Sequence, residues 1–356
     1  MKFSDLRRRA ISLSLLGLFL VLLGASALTI SAAGRYHLLK KVALPSAPRG
    51  EDYFDYITVD SEARRVYISH GTEVQVLDAD NYTVVGKVTG MKRCHGIALV
   101  KEIGKGFITD GEAQEVVIFD LATLKVTGKV KTNQPDTDSI IYDPASKHIF
   151  TFNGDSHTAT VIDPVKQTVV KNLDLVGGVE YPVADEKGMV YDNNKEKNDV
   201  VVIDSRDNTI KARWPVAPAG QPVAMDMDRK TRRLFSAGRE PKMLVLMDAD
   251  NGKVLQSFPI KDGADAVSFD PETALVFVST EEGILHIFHE DTPNKLSVVQ
   301  DVKTEYGAKT MGFDAKTHNV FMATTKFGPK PAPTAQEPDP DPPVIPGNFH
   351  LLVYGY

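Results

Sequence analysis

The chain has 356 residues, of which 42% are hydrophobic and 25% are charged, so it contains enough apolar material for a large core. Its single cysteine excludes an intramolecular disulfide and the usual cysteine-based zinc and iron–sulfur sites. The absence of a C-x-x-C-H sequence excludes covalent c-type haem, so no cofactor is evident from the sequence.

The first predicted element is a targeting segment at residues 1–33. A basic head at residues 2–9 precedes an apolar run from Ala10 to about Leu23, and small residues at 25–33 offer cleavage sites. This is the layout of a secretory signal peptide. The alternative is an uncleaved membrane anchor, because residues 11–30 approach the length that spans a bilayer. Both interpretations predict an exported bacterial protein, periplasmic or extracellular.

The charge of the remaining chain bears on its partners. Residues 1–33 carry four basic side chains and one acidic side chain, so the net charge changes from −6 for the whole chain to −9 for residues 34–356. A negative surface repels a phosphate backbone, so nucleic acid is not an expected partner. We expect a monomer that binds a small molecule or a partner protein and meets a membrane only if the N-terminal segment is retained.

Residues 34–356 contain seven copies of one unit, which repeats every 40–44 residues. Each copy has an aromatic residue in the same place, and six have an aspartate six or seven residues earlier, where a carboxylate can accept backbone hydrogen bonds in a tight turn. The aromatic residues are Tyr67, Phe107, Phe150, Tyr191, Phe235, Phe277 and Phe321. The turn positions are Asp60, Val100, Asp143, Asp185, Asp228, Asp270 and Asp314.

Each unit predicts four short strands. One strand leads into the turn, the aromatic strand follows, and two further strands resemble VQVLD and VVGKV of the first unit. Seven such units predict an all-β fold, a seven-bladed β-propeller. The seventh unit has only three strands, the last at residues 349–356. We expect residues 36–44 to supply the fourth strand, which would close the ring without an exposed sheet edge.

The aromatic strands read YISH, FITD, FTFN, YDNN, FSAG, FVST and FMAT. Together with the VxVID-type strands that follow them, they resemble the YVTN-repeat, YncE-like family of bacterial exported propellers over residues 35–356. The resemblance implies the propeller fold and export. It implies no single activity, because related propellers include lactonases, dehydrogenase subunits and surface or DNA-binding proteins. Most units depart from the YVTN consensus, so no functional residue is carried over.

The candidate site lies where the first strand of each blade starts at one mouth of the central channel. Five residues before each turn position, the sequence has mainly charged side chains, which predicts a polar funnel. These mouth positions are Asp55, His95, Asp138, Glu180, Val223, Asp265 and Lys309. Polar neighbours upstream are Tyr53, Arg93, Gln221 and Tyr306.

Converging carboxylates repel one another unless a cation, a protonated ligand or a shared proton compensates their charge. A divalent cation is therefore a candidate ligand, held through oxygen atoms. Its candidate ligands are Asp55, Asp138, Glu180 and Asp265. His95 is the candidate catalytic acid or base because its pKa is ordinarily near neutrality. The same groups could instead satisfy backbone N–H groups at blade junctions.

Three functions remain open at this point. The first is a binding protein that presents the funnel to a small molecule, a metal ion or a partner protein. The second is a metal-assisted enzyme of lactonase or hydrolase type, and the third is a redox-partner subunit.

A proline-rich segment, residues 328–347, interrupts the seventh unit between its second and third strands and contains eight prolines. Such a composition favours extended polyproline conformation. Loops between second and third strands share the face of the channel mouth, so the segment is expected there as a lid, a docking arm or a solvated extension.

Overall fold

The computed structural model describes residues 35–47, 53–334 and 340–356. The predicted targeting segment at residues 1–33 lies outside these ranges. No helix in the described part of the chain is long and apolar enough to cross a membrane. The described residues form seven antiparallel four-stranded sheets, which confirms the predicted blades.

The strands follow the repeat. Strand β1 (His37–Ala43) precedes the first complete blade. Blade 1 consists of β2 (Phe54–Asp60), β3 (Arg65–His70), β4 (Glu73–Asp78) and β5 (Val84–Thr89). Blade 2 consists of β6 (Cys94–Val100), a 3₁₀ turn (Lys101–Ile103), β7 (Lys105–Asp110), β8 (Glu115–Asp120) and β9 (Val126–Lys131). Blade 3 consists of β10 (Thr137–Asp143), β11 (His148–Asn153), β12 (Thr158–Asp163) and β13 (Thr168–Asp174).

The later blades have the same order. Blade 4 consists of β14 (Val179–Ala184), β15 (Met189–Asn194), β16 (Asp199–Asp204) and β17 (Thr209–Pro215). Blade 5 consists of β18 (Pro222–Asp228), β19 (Arg233–Arg239), β20 (Lys242–Asp248) and β21 (Val254–Pro259). Blade 6 consists of β22 (Ala264–Asp270), β23 (Leu275–Thr280), β24 (Ile284–Thr292) and β25 (Lys295–Lys303). Blade 7 combines β26 (Met311–Asp314), β27 (Asn319–Phe327) and β28 (Val344–Gly355) with β1.

The ring closes as predicted. Strand β1 pairs antiparallel with β28, from His37 opposite Gly355 to Ala43 opposite His350. The inner strand of blade 7, β26, contacts β2 of blade 1, so first and last blades are neighbours. The N-terminal strand therefore covers the edge that β28 would otherwise expose.

The hydrophobic core is divided among the junctions between blades. Seven clusters of buried side chains fill the seven junctions, and each contains one of the recurrent aromatic residues. Phe107, Phe150 and Phe235 have no solvent exposure. Complete burial of such a ring stabilises the fold by about 1.5–3 kcal/mol. The aromatic residue therefore recurs at a regular spacing because each junction between neighbouring blades is packed around one such ring.

The recurrent turn aspartates have a second role that the sequence did not reveal. One carboxylate oxygen accepts backbone N–H groups of its own turn, as Asp60 Oδ1 does from Ala63 at 3.0 Å. The same carboxylate also binds a side chain of the following blade. These partners are Lys101 for Asp60, Ser205 for Asp143, Arg232 for Asp185, His318 for Asp270 and Arg64 for Asp314. Each of these five aspartates therefore joins two blades.

The proline-rich segment forms the tip of a long hairpin. Strand β28 begins at Val344, five residues before the predicted start, because its first residues pair with an extension of β27. Phe327 lies opposite Val344, and Gly328 N donates to Pro343 O at 2.7 Å. Residues 344–347 are therefore strand, and the irregular part of the segment is shorter than predicted. Residues 335–339 lie outside the described ranges.

The junction between blades 5 and 6 differs because the partner of Asp228 is another acid. Thr231 Oγ1 lies 2.5 Å from Asp228 Oδ2 and 3.2 Å from Glu290 Oε1. Glu290 is 8% exposed, and burial, together with the charge of Asp228, raises its pKa to about 7. Glu290 is therefore only partly ionised near neutral pH and becomes a second negative charge beside Asp228 as the pH rises.

We predict that replacing Glu290 stabilises the protein in alkaline solution. Glu290 ordinarily ionises near 4.5, so its contribution to stability should fall as the pH rises from 4.5 to about 7 and then stay constant. The gain in the free energy of unfolding of Glu290→Gln over the wild type should be larger at pH 8 than at pH 4.5 by about 1–3 kcal/mol. Denaturant titrations at both pH values measure the difference. The exposed control Glu112→Gln should show none, and an equal effect of both substitutions would contradict the assignment.

Candidate functional site

The mouth positions converge at one end of the channel. Asp55, Asp138, Glu180 and Asp265 line a cavity of about 50 Å³, together with Val223. They come from five different inner strands or the loops that lead into them. The structure therefore brings together the carboxylates that the repeat placed at equivalent positions.

A histidine lies between two of these carboxylates. His95 is 4% exposed, and its Nδ1 atom lies 2.7 Å from Asp55 Oδ2 and 3.4 Å from Asp138 Oδ1. The hydroxyl of Tyr53 donates to Asp55 Oδ2 at 2.8 Å and lies 3.0 Å from His95 Nδ1. The guanidinium of Arg93 stacks 4.1 Å from the centre of the Tyr53 ring. Five predicted residues thus form one connected cluster.

The charges of this cluster are interdependent. Burial lowers the pKa of His95, but the hydrogen bond with Asp55 and the charge of Asp138 outweigh it and raise the pKa to about 9. Burial raises the pKa of Asp138 well above its ordinary value, opposed by His95 and reinforced by Asp55. His95 and Asp138 therefore titrate as a pair: the positive charge of the protonated imidazole opposes the effect of burial on the Asp138 carboxyl.

The other half of the ring is neutralised by basic side chains of the chain itself. Glu180 forms an ion pair with Lys195, and Asp265 forms one with Arg239. The charge of Asp265 also raises the pKa of Lys309, which places this lysine in the same group. Of the four predicted carboxylates, only Asp55 and Asp138 depend on His95 for compensation. The structure thus separates the predicted ring into two electrostatic halves.

The reactive side of His95 is defined by its packing. Nε2 is buried and has no hydrogen-bond partner among the described residues. It faces Gly111, where a Cβ atom would lie 2.9 Å from Nε2, so a larger residue would collide with the ring. Proton or metal chemistry of His95 toward the channel must therefore use Nδ1.

Hydroxyl groups on second strands hold the backbone of the mouth positions. Ser69 Oγ donates to His95 O, Thr109 Oγ1 to Asp138 O, and Ser279 Oγ to Lys309 O. Each bond crosses from one blade to the next. Sequence reasoning missed this role, although the residues occupy the third place of YISH, FITD and FVST, where a comparison of the repeats could have found it.

The channel is divided below the mouth by two tyrosines that sequence reasoning also missed. Tyr56 and Tyr181 follow directly after mouth positions, and their rings stack with centroids 5.5 Å apart and planes at 27°. Both line the mouth cavity and a larger chamber of about 200 Å³ beyond it. In the other five units the corresponding residues are small. They are Gly96, Ser139, Ala224, Ala266 and Thr310.

Two predicted residues lie elsewhere on the same face. Gln221 lines a groove between blades 4 and 5 with Asn198 and Glu240. Tyr306 is 41% exposed and packs edge-on against Phe327, with ring centroids 5.1 Å apart. That pair lines a groove beside the proline-rich hairpin, which contains none of the mouth carboxylates. The structure therefore does not bring Gln221 or Tyr306 to the mouth cavity.

The sequence matches no protein-family model and no curated protein. Similar folds occur among solved structures. Hydrazine synthase of Kuenenia stuttgartiensis has a TM-score of 0.67 at 13% identity, over 78% of this chain and 94% of that chain. The WD40 repeats of RRP9 have a TM-score of 0.73 at 7% identity, over 90% of this chain and 100% of that chain. A chain of the mitotic checkpoint complex has a TM-score of 0.70 at 10% identity, over 90% of this chain and 94% of that chain.

At these identities the similarity shows the fold alone. The β-propeller fold predicted from the repeats is confirmed, and it is shared with proteins whose names describe very different roles. Function must therefore be argued from the side chains of this chain.

We predict that His95 titrates near pH 9 in the metal-free protein. Asp55→Asn removes both a charge and a hydrogen-bond acceptor, so the pKa of His95 should fall by about one unit or more. Nuclear magnetic resonance of the imidazole nitrogens measures both values. Asp265→Asn removes the same charge from the other half of the ring and should leave His95 nearly unchanged. A wild-type pKa at or below the ordinary 6.5 would refute the prediction.

Proposed function

We propose that this chain is an exported β-propeller that binds a divalent metal ion at its channel mouth, with Asp55, His95 and Asp138 as the ligands. The observation that carries the proposal is the meeting of an imidazole and two carboxylates from three successive blades. One potential ligand atom from each lies within 4.8 Å of the other two. A metal bound by nitrogen and oxygen lies about 2.0–2.2 Å from each ligand, so a group of this size can close around one ion.

The electrostatics support a cation in the same place. In the metal-free protein the proton of His95 lies between the carboxyl groups of Asp55 and Asp138, which raise the pKa of the imidazole. A divalent ion would replace that proton and supply more positive charge to the same three groups. An imidazole beside carboxylates suits zinc, manganese, iron or nickel better than calcium or magnesium, which prefer oxygen ligands alone.

The dimensions of the mouth favour ion binding over hydrolysis. A cavity of about 50 Å³ can hold an ion and a few water molecules, since one water needs roughly 10–15 Å³ of such space. The stacked Tyr56 and Tyr181 rings line the inner side of this small cavity. We therefore prefer a binding protein to a lactonase or a redox subunit.

Export and family membership belong to the same proposal. The signal-peptide layout of residues 1–33 and the resemblance of residues 35–356 to YncE-like propellers both support a periplasmic or extracellular location. A metal-binding protein in that compartment would capture or buffer ions outside the cytoplasm. The net charge of residues 34–356 favours cationic ligands over nucleic acid.

We predict that the purified protein binds about one zinc or manganese ion per chain. His95→Gln and Asp138→Asn should each weaken binding by about tenfold or more, because each removes a ligand. Affinity should rise about tenfold per pH unit between about pH 6 and pH 8, since binding displaces the His95 proton. Isothermal titration calorimetry and elemental analysis measure affinity and stoichiometry.

The matched control is Asp265→Asn, which removes one carboxylate from the same ring but from the half neutralised by Arg239. It should change metal affinity by no more than about threefold. Equal losses in Asp138→Asn and Asp265→Asn would indicate a diffuse electrostatic effect and would overturn the proposed ligand set. Absence of stoichiometric metal binding would overturn the function.

A further inference from the structure

A tyrosine side chain shares the position of the proposed metal ligands. The hydroxyl oxygen of Tyr53 lies 2.8 Å from Asp55 Oδ2 and 3.0 Å from His95 Nδ1. His95 Nδ1 in turn lies 2.7 Å from the same oxygen of Asp55. A phenol oxygen, a carboxylate oxygen and an imidazole nitrogen therefore form a nearly equilateral triangle.

The size of this triangle fits one face of an octahedral metal ion. Nitrogen and oxygen ligands lie about 2.0–2.1 Å from such an ion, so neighbouring ligands at right angles are about 2.8–3.0 Å apart. The three separations of 2.7, 2.8 and 3.0 Å match this spacing. Asp138 Oδ1, which lies 3.4 Å from His95 Nδ1, is close to a further coordination position. Four residues can therefore contact one ion.

The repeat gives a second sign that this position is special. The residue two places before each mouth position carries a side chain in units 1, 2 and 3, which supply the proposed ligands, and is glycine in units 4, 6 and 7. The series is Tyr53, Arg93, Asp136, Gly178, Gln221, Gly263 and Gly307. Only the first unit has a tyrosine there.

The surroundings of Tyr53 bear on the charge of its oxygen. In the metal-free protein the phenol donates its proton to Asp55, and burial together with the neighbouring carboxylates raises the pKa of the phenol. The guanidinium of Arg93, 4.1 Å from the centre of the ring, attracts the negative charge that the ring acquires when this proton leaves. A bound cation of high charge favours the same loss, because it is then the largest charge in the site.

We propose that Tyr53 is a fourth ligand of the mouth site and that its phenolate selects ferric iron there. The inference rests on the ligand set of the proposed function. On binding, the Tyr53 oxygen releases its proton to solvent and donates a lone pair to the ion, whose oxidation state does not change. Asp55, Asp138 and the phenolate then supply three negative charges, which match a trivalent ion. A divalent ion leaves the phenol protonated and binds through the other three residues.

The test is a titration of the purified full chain with ferric nitrilotriacetate, followed by visible absorption. Coordination of a phenolate to ferric iron produces a charge-transfer band in the visible range, which carboxylate and imidazole ligands alone do not. We expect the band to saturate at a single iron per chain. Resonance Raman spectra excited in the band should show the ring vibrations of a coordinated tyrosine.

Tyr53→Phe should abolish the band and weaken ferric binding, measured in competition with nitrilotriacetate, by at least about a hundredfold, because it removes a ligand. Its affinity for zinc should change by less than about tenfold, since only the hydrogen bond to Asp55 is lost. Retained zinc binding also shows that the variant is folded. Tyr306→Phe, which removes a phenol from the same face but outside the mouth cavity, should keep the band.

The two proposals fail in different ways. Zinc binding by a wild type that gives no ferric band, or a band that persists in Tyr53→Phe, would overturn the role of Tyr53 and leave the proposed function intact. A band that depends on Tyr53 in a chain that binds no divalent ion would support the role of Tyr53 and overturn the divalent function.

Discussion

The junction between neighbouring blades is the constraint on which this molecule depends. A four-stranded sheet of this size cannot bury both faces alone, so each blade is stable only against its neighbours. One aromatic ring fills each junction, and at most junctions a turn aspartate binds the next blade. The seventh junction obeys the same rule, because Asp314 of blade 7 pairs with Arg64 of blade 1 at 2.8 Å. Closure by β1 then makes the ring continuous.

The same junctions place the functional groups. His95 and Asp138 come from blades 2 and 3, and hydroxyls of the preceding blades hold their carbonyl groups. A site shared by several blades is rigid only if the blades cannot slide, which the aromatic and aspartate contacts prevent. Converging carboxylates would otherwise push the inner strands apart. The chain limits this repulsion by pairing Glu180 and Asp265 with basic side chains and leaving the other half to His95.

Much of this arrangement could be predicted from the sequence, because a repeat of fixed length reports strand order, blade number and equivalent positions. The mouth carboxylates and His95 followed from that alignment. The positions of Gln221 and Tyr306 did not follow from it: Gln221, which has a φ of 46°, lines a groove between blades 4 and 5, and Tyr306 packs against Phe327. The stacking of Tyr56 on Tyr181 depends on a distance across the ring, which sequence spacing does not report.

The departures from the repeat are more informative about function than the repeat itself. Asp and aromatic positions that recur in nearly every unit serve packing and junctions, which every blade needs equally. A binding site on the ring axis needs different groups from different blades, because seven equal side chains would repel or clash at one point. The histidine at the second mouth position and the tyrosines of units 1 and 4 are such exceptions. Since local breaks with a global pattern concentrate at functional sites, these exceptions support a functional role for the charged mouth and for the tyrosine pair that divides the channel.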